Sequence, residues 1–463
     1  QSRGLGDVYK RQILRRVITV SEAISSEQLS KFHQLIEDDP KSRVLERAVS
    51  KNGILATSAD FHSEVNMDPV FSIDLDTGDV ANQKQSGRCW MFAALNTMRH
   101  DLKNRFGVAK DFELSQSYTF FWDKLEKSNY FYENVIKTAS LPTSDRKVAW
   151  LMTTPQQDGG QWDMITAIIR KYGVVPKSVM PESYNSSKSS ELNSTLNLKL
   201  RKDAVDLREL VNSNASSEEI ASFKEKKLAE IYRILVYTLG EPPVKFDFEY
   251  RDSDNNYHID QDLTPQTFFE KYVNWNLDDY VSIINAPTDD KPYNHMYTIE
   301  MLGNVLGERE VRHLNVDMNT FRQVAIKQLE SGESVWFGCD VGQESDRKKG
   351  IMDTELYHKD ELFDVDFSMS KAERLDYSES LMTHAMVLTG VDLVNGTPTK
   401  WKVENSWGDK VGTKGFFVMS NNWMEEYCYQ VVVNKKFLPE ELQKVLTEEP
   451  KVLAPWDPMG SLA

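Results

Sequence analysis

With 463 residues, 40% of them hydrophobic and 27% charged, the chain is long enough for two or three packed domains and too apolar to be disordered. A formal net charge of −16 argues against chain-wide attraction to nucleic acid or to an anionic membrane. Three cysteines, Cys89, Cys339 and Cys428, are too few and odd in number for a disulfide framework and point to a reducing compartment.

Residues 1–20 carry Arg3, Lys10, Arg11, Arg15 and Arg16 against the single acid Asp7, and read as an organelle-targeting leader or a scar outside the fold. From Ser21 to about residue 60 helix-start chemistry and the stop at Pro40 predict an N-terminal helical arm. Extended chain follows, and then Asn82-Gln83-Lys84-Gln85-Ser86-Gly87-Arg88-Cys89-Trp90 runs from a polar turn into a helix. Met91, Leu95, Met98 and Leu102 recur at i, i+4, i+7 and i+11, the stripe of a helix packed on one face, with Cys89 in its first turn. There the unpaired backbone N–H groups and the dipole favour a thiolate. A cysteine among Trp, Met, Phe and Ala is equally read as an inert buried thiol.

An aromatic segment, Tyr118 to Tyr132, has core-helix spacing. Asp158-Gly159-Gly160-Gln161-Trp162 is a turn that opens an amphipathic helix, and adjacent glycines let backbone approach a ligand. Residues 185–237 read as an inserted helical subdomain. Val244 to Tyr250 alternates as a strand, and Pro265–Tyr272 reads as a helix. Val335–Asp340 is a buried strand that makes Cys339 a core residue. Four strand-like runs, Met386–Val394, Lys400–Glu404, Gly415–Ser420 and Cys428–Val433, predict an antiparallel unit whose first hairpin turns at Asn395-Gly396. A polar helix at Pro439–Leu446 precedes a tail that, on composition alone, frays.

A cysteine nucleophile needs a general base, a group that orients it, and donors for the developing oxyanion. His384 stands at the entry to the first hairpin strand and Asn405 at the end of the return strand, so folding about Asn395-Gly396 brings them together. The eight histidines include no metal-type spacing, there is no phosphate loop, and no apolar run approaches the roughly 20 residues of a membrane span. No metal or cofactor is called for.

Gln83, Cys89-Trp90, Asp158-Gly159-Gly160-Gln161-Trp162, Met382-Thr383-His384-Ala385-Met386, Glu404-Asn405-Ser406-Trp407-Gly408 and Pro455-Trp456-Asp457-Pro458-Met459-Gly460 together resemble the bleomycin hydrolases and their bacterial aminopeptidase C relatives, within the papain superfamily. The resemblance runs from about residue 60 to the C-terminus. It implies an α+β, papain-like two-lobe fold: a helical lobe plus an antiparallel β-barrel-like lobe, with a helical insertion and terminal arms. The parts fall at 1–20 (leader), 21–60 (arm), 61–184 (helical lobe with the nucleophile), 185–300 (insertion), 301–440 (β lobe with His and Asn) and 441–463 (C-terminal arm). It further implies Cys89 as nucleophile, His384 as general base and acid, Asn405 orienting His384, and Gln83 as oxyanion donor, with Trp407 and Trp90 in support. Gly159 and Gly160 would bind substrate backbone. The Ala463 carboxylate would hold the substrate's amino terminus, so that a tail in the cleft makes a cysteine aminopeptidase that needs no cofactor. A cytosolic homohexamer acting on peptides with a free N-terminus is implied as well.

Two rivals stand beside this reading. A transglutaminase-like acyltransferase also uses Gly-x-Cys-Trp, but its third member is an aspartate where this chain has Asn405. A non-catalytic ring-forming binding protein on a peptidase fold would not need the full Cys, His, Asn and Gln set.

Overall fold

The structure, a computed structural model, describes residues 23–462. The leader at 1–20 and Ala463 lie outside the described residues. The chain divides into two compact units, one from the segment ending at Ala59 together with Tyr357–Phe367, the other from Asp60–Leu356 and the chain after Ser368.

In the smaller unit, Ser26–Asp38 begins with a capping box. The Ser25 hydroxyl accepts from Gln28 N–H at 3.1 Å and the Gln28 side chain accepts from Ser25 N–H at 2.8 Å, so two otherwise orphaned donors are satisfied. This helix buries none of its residues, and Leu29, Phe32, Leu35 and Ile36 remain exposed. Helices Ser42–Asn52 and Ile54–Ser58 follow, and Lys359–Phe363 completes the unit.

The larger unit is built around the helix Cys89–Phe106. Thirteen of its residues are buried, including every one from Cys89 to His100, so the first three turns are enclosed on all sides and the expected one-face stripe is too narrow a description. The helix is sandwiched: Ala385 and Val387 of one strand and Trp336 of another share its core, as do Phe120 and Phe121 of the helix Gln116–Lys137. Lys103 and Arg105 in the last turn suit the negative end of the dipole, and Gly107, at φ +64°, accepts the left-handed closure that ends it.

Helices Ser190–Asn212 and Ser217–Leu239 lay Leu192, Leu196, Leu200, Leu207, Ile231 and Leu235 into the same core. Beyond them the hairpin Phe246–Arg251 with Tyr257–Leu263 stands apart from the main sheet. The helix predicted over Pro265–Tyr272 is α-helical only across Pro265–Phe268 and continues as a wider π turn, Phe269–Val273, closed by Asn274 at φ +52°.

Among the described residues the main sheet has twelve strands. Its central run is Tyr280–Ile284, Cys428–Asn434, Val335–Cys339, His384–Val394, Thr397–Glu404 and Phe416–Ser420, each antiparallel to the next. Three outer pairings are parallel, including the seat of the C-terminal strand Lys451–Leu453 against His295–Ile299. Asn395 and Gly396 turn the hairpin at φ +52° and +80°, the mirror-image turn their sequence favours. Irregularities after Leu388 and Asp392 let the two arms twist while Val387 still faces Glu404. A second core lies in this half of the unit, with Met386, Leu388, Trp401, Val403 and Phe417 at its centre.

Candidate active site

The site forms where the Cys89 helix meets the start of the His384 strand. Cys89 is 2% exposed at the first position of its helix. Backbone N–H groups of Ala385, Trp90 and Cys89 itself point at the sulfur and favour the thiolate, but burial outweighs them and pushes the thiol up to about 11. His384 is 4% exposed. Burial pushes it down to about 4, against the hydrogen bond it makes with Asn405. Burial therefore disfavours the charged form of each group.

The hydrogen bonds fix the imidazole's tautomer by elimination. Asn405 Oδ1 accepts from the Ser406 backbone N–H at 2.7 Å, so this end of the amide is the oxygen. His384 Nε2, 2.9 Å away, must then donate to it, which leaves Nδ1 as the basic nitrogen. Trp407 stacks on the imidazole with centroids 4.8 Å apart, and Arg347 lies 4.0 Å over the Trp407 ring.

Gln83 is held from both ends of its amide. Its Nε2 donates to Ser86 O at 2.7 Å and its Oε1 accepts from Ser406 Oγ at 2.5 Å. The Ser86 hydroxyl in turn donates to Gln83 O at 2.7 Å and accepts from Arg88 Nε at 2.9 Å. Arg88, wholly buried, pairs with both oxygens of Glu182 and lies over Phe92 and Phe120. The turn before the Cys89 helix is thus tied down at several points although it contains a glycine.

Gly159 and Gly160 lie along the other wall. A Cβ on Gly160 would come within 2.5 Å of the Trp90 indole, so only glycine fits beside it. The indole cannot retreat easily, since its Nε1 donates to Asp158 O at 2.7 Å. Lys127 donates to Gly159 O at 2.6 Å and steadies the turn from behind.

The tail does not fray. Trp456 lies under Arg146 at 3.8 Å, Asp457 pairs with the buried Lys291 at 3.0 Å, and Met459 is buried. Ser461 Oγ donates to Met382 O and Ser461 O accepts from Gln161 Nε2, both at 2.5 Å, two residues from His384 and one from Gly160. Leu462 packs against the core that includes Cys89. A cavity of about 470 Å³ opens alongside the tail, lined by Tyr130, Trp150, Met301, Trp456 and Leu462 among others.

Sequence reasoning singled out Cys89, His384, Asn405, Gln83, Gly159, Gly160, Trp407 and Trp90: His384 bonds Asn405 and stacks on Trp407, Gln83 bonds Ser406 beside Asn405, Trp90 packs on Gly160 next to Gly159, and the Ala385 N–H beside His384 points at the Cys89 sulfur; Ala463 is outside the described residues. It missed two carboxylates. Asp158 sits under the turn before Cys89, and Glu404, fully buried next to Asn405, pairs with Arg99 at 2.8 Å and His100 at 3.0 Å on the Cys89 helix. A charged residue inside an otherwise apolar or glycine-rich motif was the available signal for both, but their partners are too distant in sequence to be named from spacing.

A thiol at a helix N-terminus with the Ala385 N–H at its sulfur, and next to Ala385 a histidine bonded to an asparagine, held between helices and a sheet, are the features of an α+β cysteine peptidase of the papain-like class. Residues 23–460 match the Peptidase C1-like family. The chain is 56% identical over 447 residues to the aminopeptidase C of Lactobacillus delbrueckii subsp. lactis, covering 96% of this chain and 99% of that protein. It is 53% identical over 440 residues to the aminopeptidase C of Listeria monocytogenes, covering 95% and 99%. The crystal structure of PepW from Lactobacillus rhamnosis HN001 superposes with a TM-score of 0.95 at 68% identity, covering 96% of this chain and all of that one. The chain belongs to the bleomycin hydrolase and aminopeptidase C family of C1 peptidases.

Proposed function

We propose that the protein, a cysteine-type aminopeptidase by its family, releases N-terminal residues from peptides through an acyl-enzyme on Cys89. The observation that carries this reading is the His384 to Asn405 bond, which leaves Nδ1 as the base on the residue next to Ala385, whose N–H points at the Cys89 sulfur at its helix N-terminus. His384 takes the thiol proton as the sulfur attacks the first peptide carbonyl. The oxyanion is met by the Cys89 backbone N–H and by the Gln83 amide, whose second N–H is not the one used on Ser86. His384 then gives the proton to the departing amine, and water activated by His384 releases the acyl group. Gly159 and Gly160 bind the substrate backbone, and Trp407 shields the His384 to Asn405 contact.

The tail restricts cleavage to the amino terminus. Its support is the pair of hydrogen bonds that seat Ser461 between Gln161 and Met382, on the path a longer substrate would take. Ala463 then places a carboxylate for the substrate's ammonium group. We also read the protein as a cytosolic homohexamer, an assembly supported by the uncovered apolar face of Ser26–Asp38; among the described residues no helix is long and apolar enough to cross a membrane.

The test compares a fluorogenic aminoacyl amide with its amine free and blocked, on the full chain and on one lacking Leu462 and Ala463. The free amine is required only while the tail is present. Equal cleavage of both substrates by the intact protein would contradict the aminopeptidase mechanism, and native mass spectrometry that finds a monomer would remove the hexamer.

A further inference from the structure

Asp158 is 7% exposed and every oxygen it has is engaged. Carboxylate Oδ2 accepts from the Gly87 backbone N–H at 2.9 Å and from the Ser189 hydroxyl, and Oδ1 accepts from Asn193 Nδ2 at 2.8 Å and pairs with Lys124 Nζ at 2.9 Å. The backbone oxygen takes the Trp90 indole N–H. Gly87 and Trp90 flank Cys89 by two residues and one, so a single residue grips the nucleophile turn on both sides of the thiol. That residue is also the one before Gly159-Gly160, and its partners Ser189 and Asn193 open the inserted helix Ser190–Asn212. The packing leaves no slack, since a Cβ on Gly87 would stand 3.0 Å from the Asp158 Cβ. Burial opposes the charge, but Lys124, Ser189 and the Gly87 N–H outweigh it and hold the carboxyl well below the usual range.

We propose that Asp158 is a positioning residue for the reaction: it locks the turn that carries Cys89 to the Gly159-Gly160 substrate edge, and ties both to the inserted helix through Ser189 and Asn193. The nucleophile and the carbonyl it attacks are then held by one rigid node, and the insertion becomes part of the catalytic frame. This rests on Cys89 being the nucleophile. The two ideas fail separately, because Cys89→Ala tests the nucleophile by turnover whereas Asp158 variants are also read by the reactivity of the thiol itself.

The experiment uses the full chain with Asp158→Ala, Asp158→Asn, and Asp158→Asn combined with Lys124→Met. Each is compared with the parent by circular dichroism, by hydrolysis of a free aminoacyl amide, and by iodoacetamide alkylation of Cys89 across pH, located by peptide mapping. Asp158→Ala is expected to lower kcat on the order of 10²-fold, the cost of a small misplacement at a reacting centre, with a smaller change in KM. The double variant keeps an oxygen for Gly87 N–H and leaves no unpaired buried lysine, so it is expected to fold and to regain about tenfold over Asp158→Ala while staying below the parent. In Asp158→Asn the alkylation midpoint is expected to fall to lower pH, because a negative charge near the thiol has gone, while turnover also falls. Loss of packing alone would not move these two readouts in opposite senses. Should Asp158→Ala fail to fold, the Asn variants decide: a folded Asn variant with kcat within about threefold of the parent overturns the proposal.

Discussion

Gln83 and Ser406 are joined twice across 323 residues of sequence: Gln83 N–H donates to Ser406 O at 2.8 Å, and the Ser406 hydroxyl donates to Gln83 Oε1 at 2.5 Å. The first bond holds the backbones of the two elements together, and the second sets which way the Gln83 amide faces. Ser406 is next to Asn405, so Gln83, the proposed oxyanion donor, and Asn405, the proposed orienting group, share one support. Ser406→Ala keeps the backbone bond and removes one of the two holds on the amide, leaving the bond to Ser86 O. Steady-state kinetics should show kcat down about tenfold with KM little changed, as expected when one oxyanion donor is loosened but not removed. An unchanged kcat would separate Gln83 from the oxyanion.

Gly160 is a steric requirement of the same site. A methyl group there meets the Trp90 indole at 2.5 Å, and the indole is pinned by its bond to Asp158 O. Gly160→Ala is expected to destabilise the protein by about 1–3 kcal/mol in urea unfolding, the usual range for overpacking, and to lower kcat/KM by more than that loss of stability explains. Normal kinetics in a folded Gly160→Ala variant would show that the substrate edge tolerates the shift.

Much of this was legible in the chain because the motifs carry their own geometry. The hairpin turn at Asn395-Gly396 is enough to place His384 near Asn405 from the sequence, and the observed turn has the positive φ values those residues favour. Cys89 was legible as the start of a helix, but not as fully enclosed, because periodicity reports one buried face and cannot see a sheet closing over the other. The π turn at Phe269–Val273 was invisible for a similar reason, since it answers to packing around Tyr272 and Val273 and not to local propensity. Glu404 and Asp158 escaped because a buried carboxylate is recognised by its partners, and Arg99 and Lys124 are far away in sequence.

Glu404 joins the strand leading to Asn405 to the Cys89 helix. It is held below the usual carboxylate range despite burial, by His100 and Arg99, all three being no more than 5% exposed. Glu404→Ala leaves the Arg99 cation buried without its carboxylate, and is expected to cost about 3–5 kcal/mol in urea unfolding. Glu404→Gln keeps hydrogen bonding and should cost less. A neutral result for Glu404→Ala would mean that water replaces the carboxylate.

Three buried histidines set an acid limit on stability. Burial lowers His100, His313 and His384, the last two to about 4. Between the unfolded value near 6.5 and the folded value near 4, the unfolded chain holds more protons than the folded one, so stability rises with pH and is lost as pH falls through that window. Each of the two histidines lowered to about 4 contributes on the order of 3 kcal/mol to that loss, from 1.36 kcal/mol per pKa unit. Urea midpoints measured from pH 7 down to about 4.5 should fall steadily. A flat profile would show that the histidines are reached by water in the folded state.

The measurement that bears most directly on the mechanism is trapping of the covalent intermediate. The enzyme is mixed with an activated aminoacyl ester, quenched in acid at early times, digested and mapped by mass spectrometry. The acyl group is expected on the peptide containing Cys89, absent from those containing Cys339 and Cys428, and lost in Cys89→Ala together with turnover. Turnover retained by a folded Cys89→Ala variant, or an acyl group found on another residue, would contradict the account.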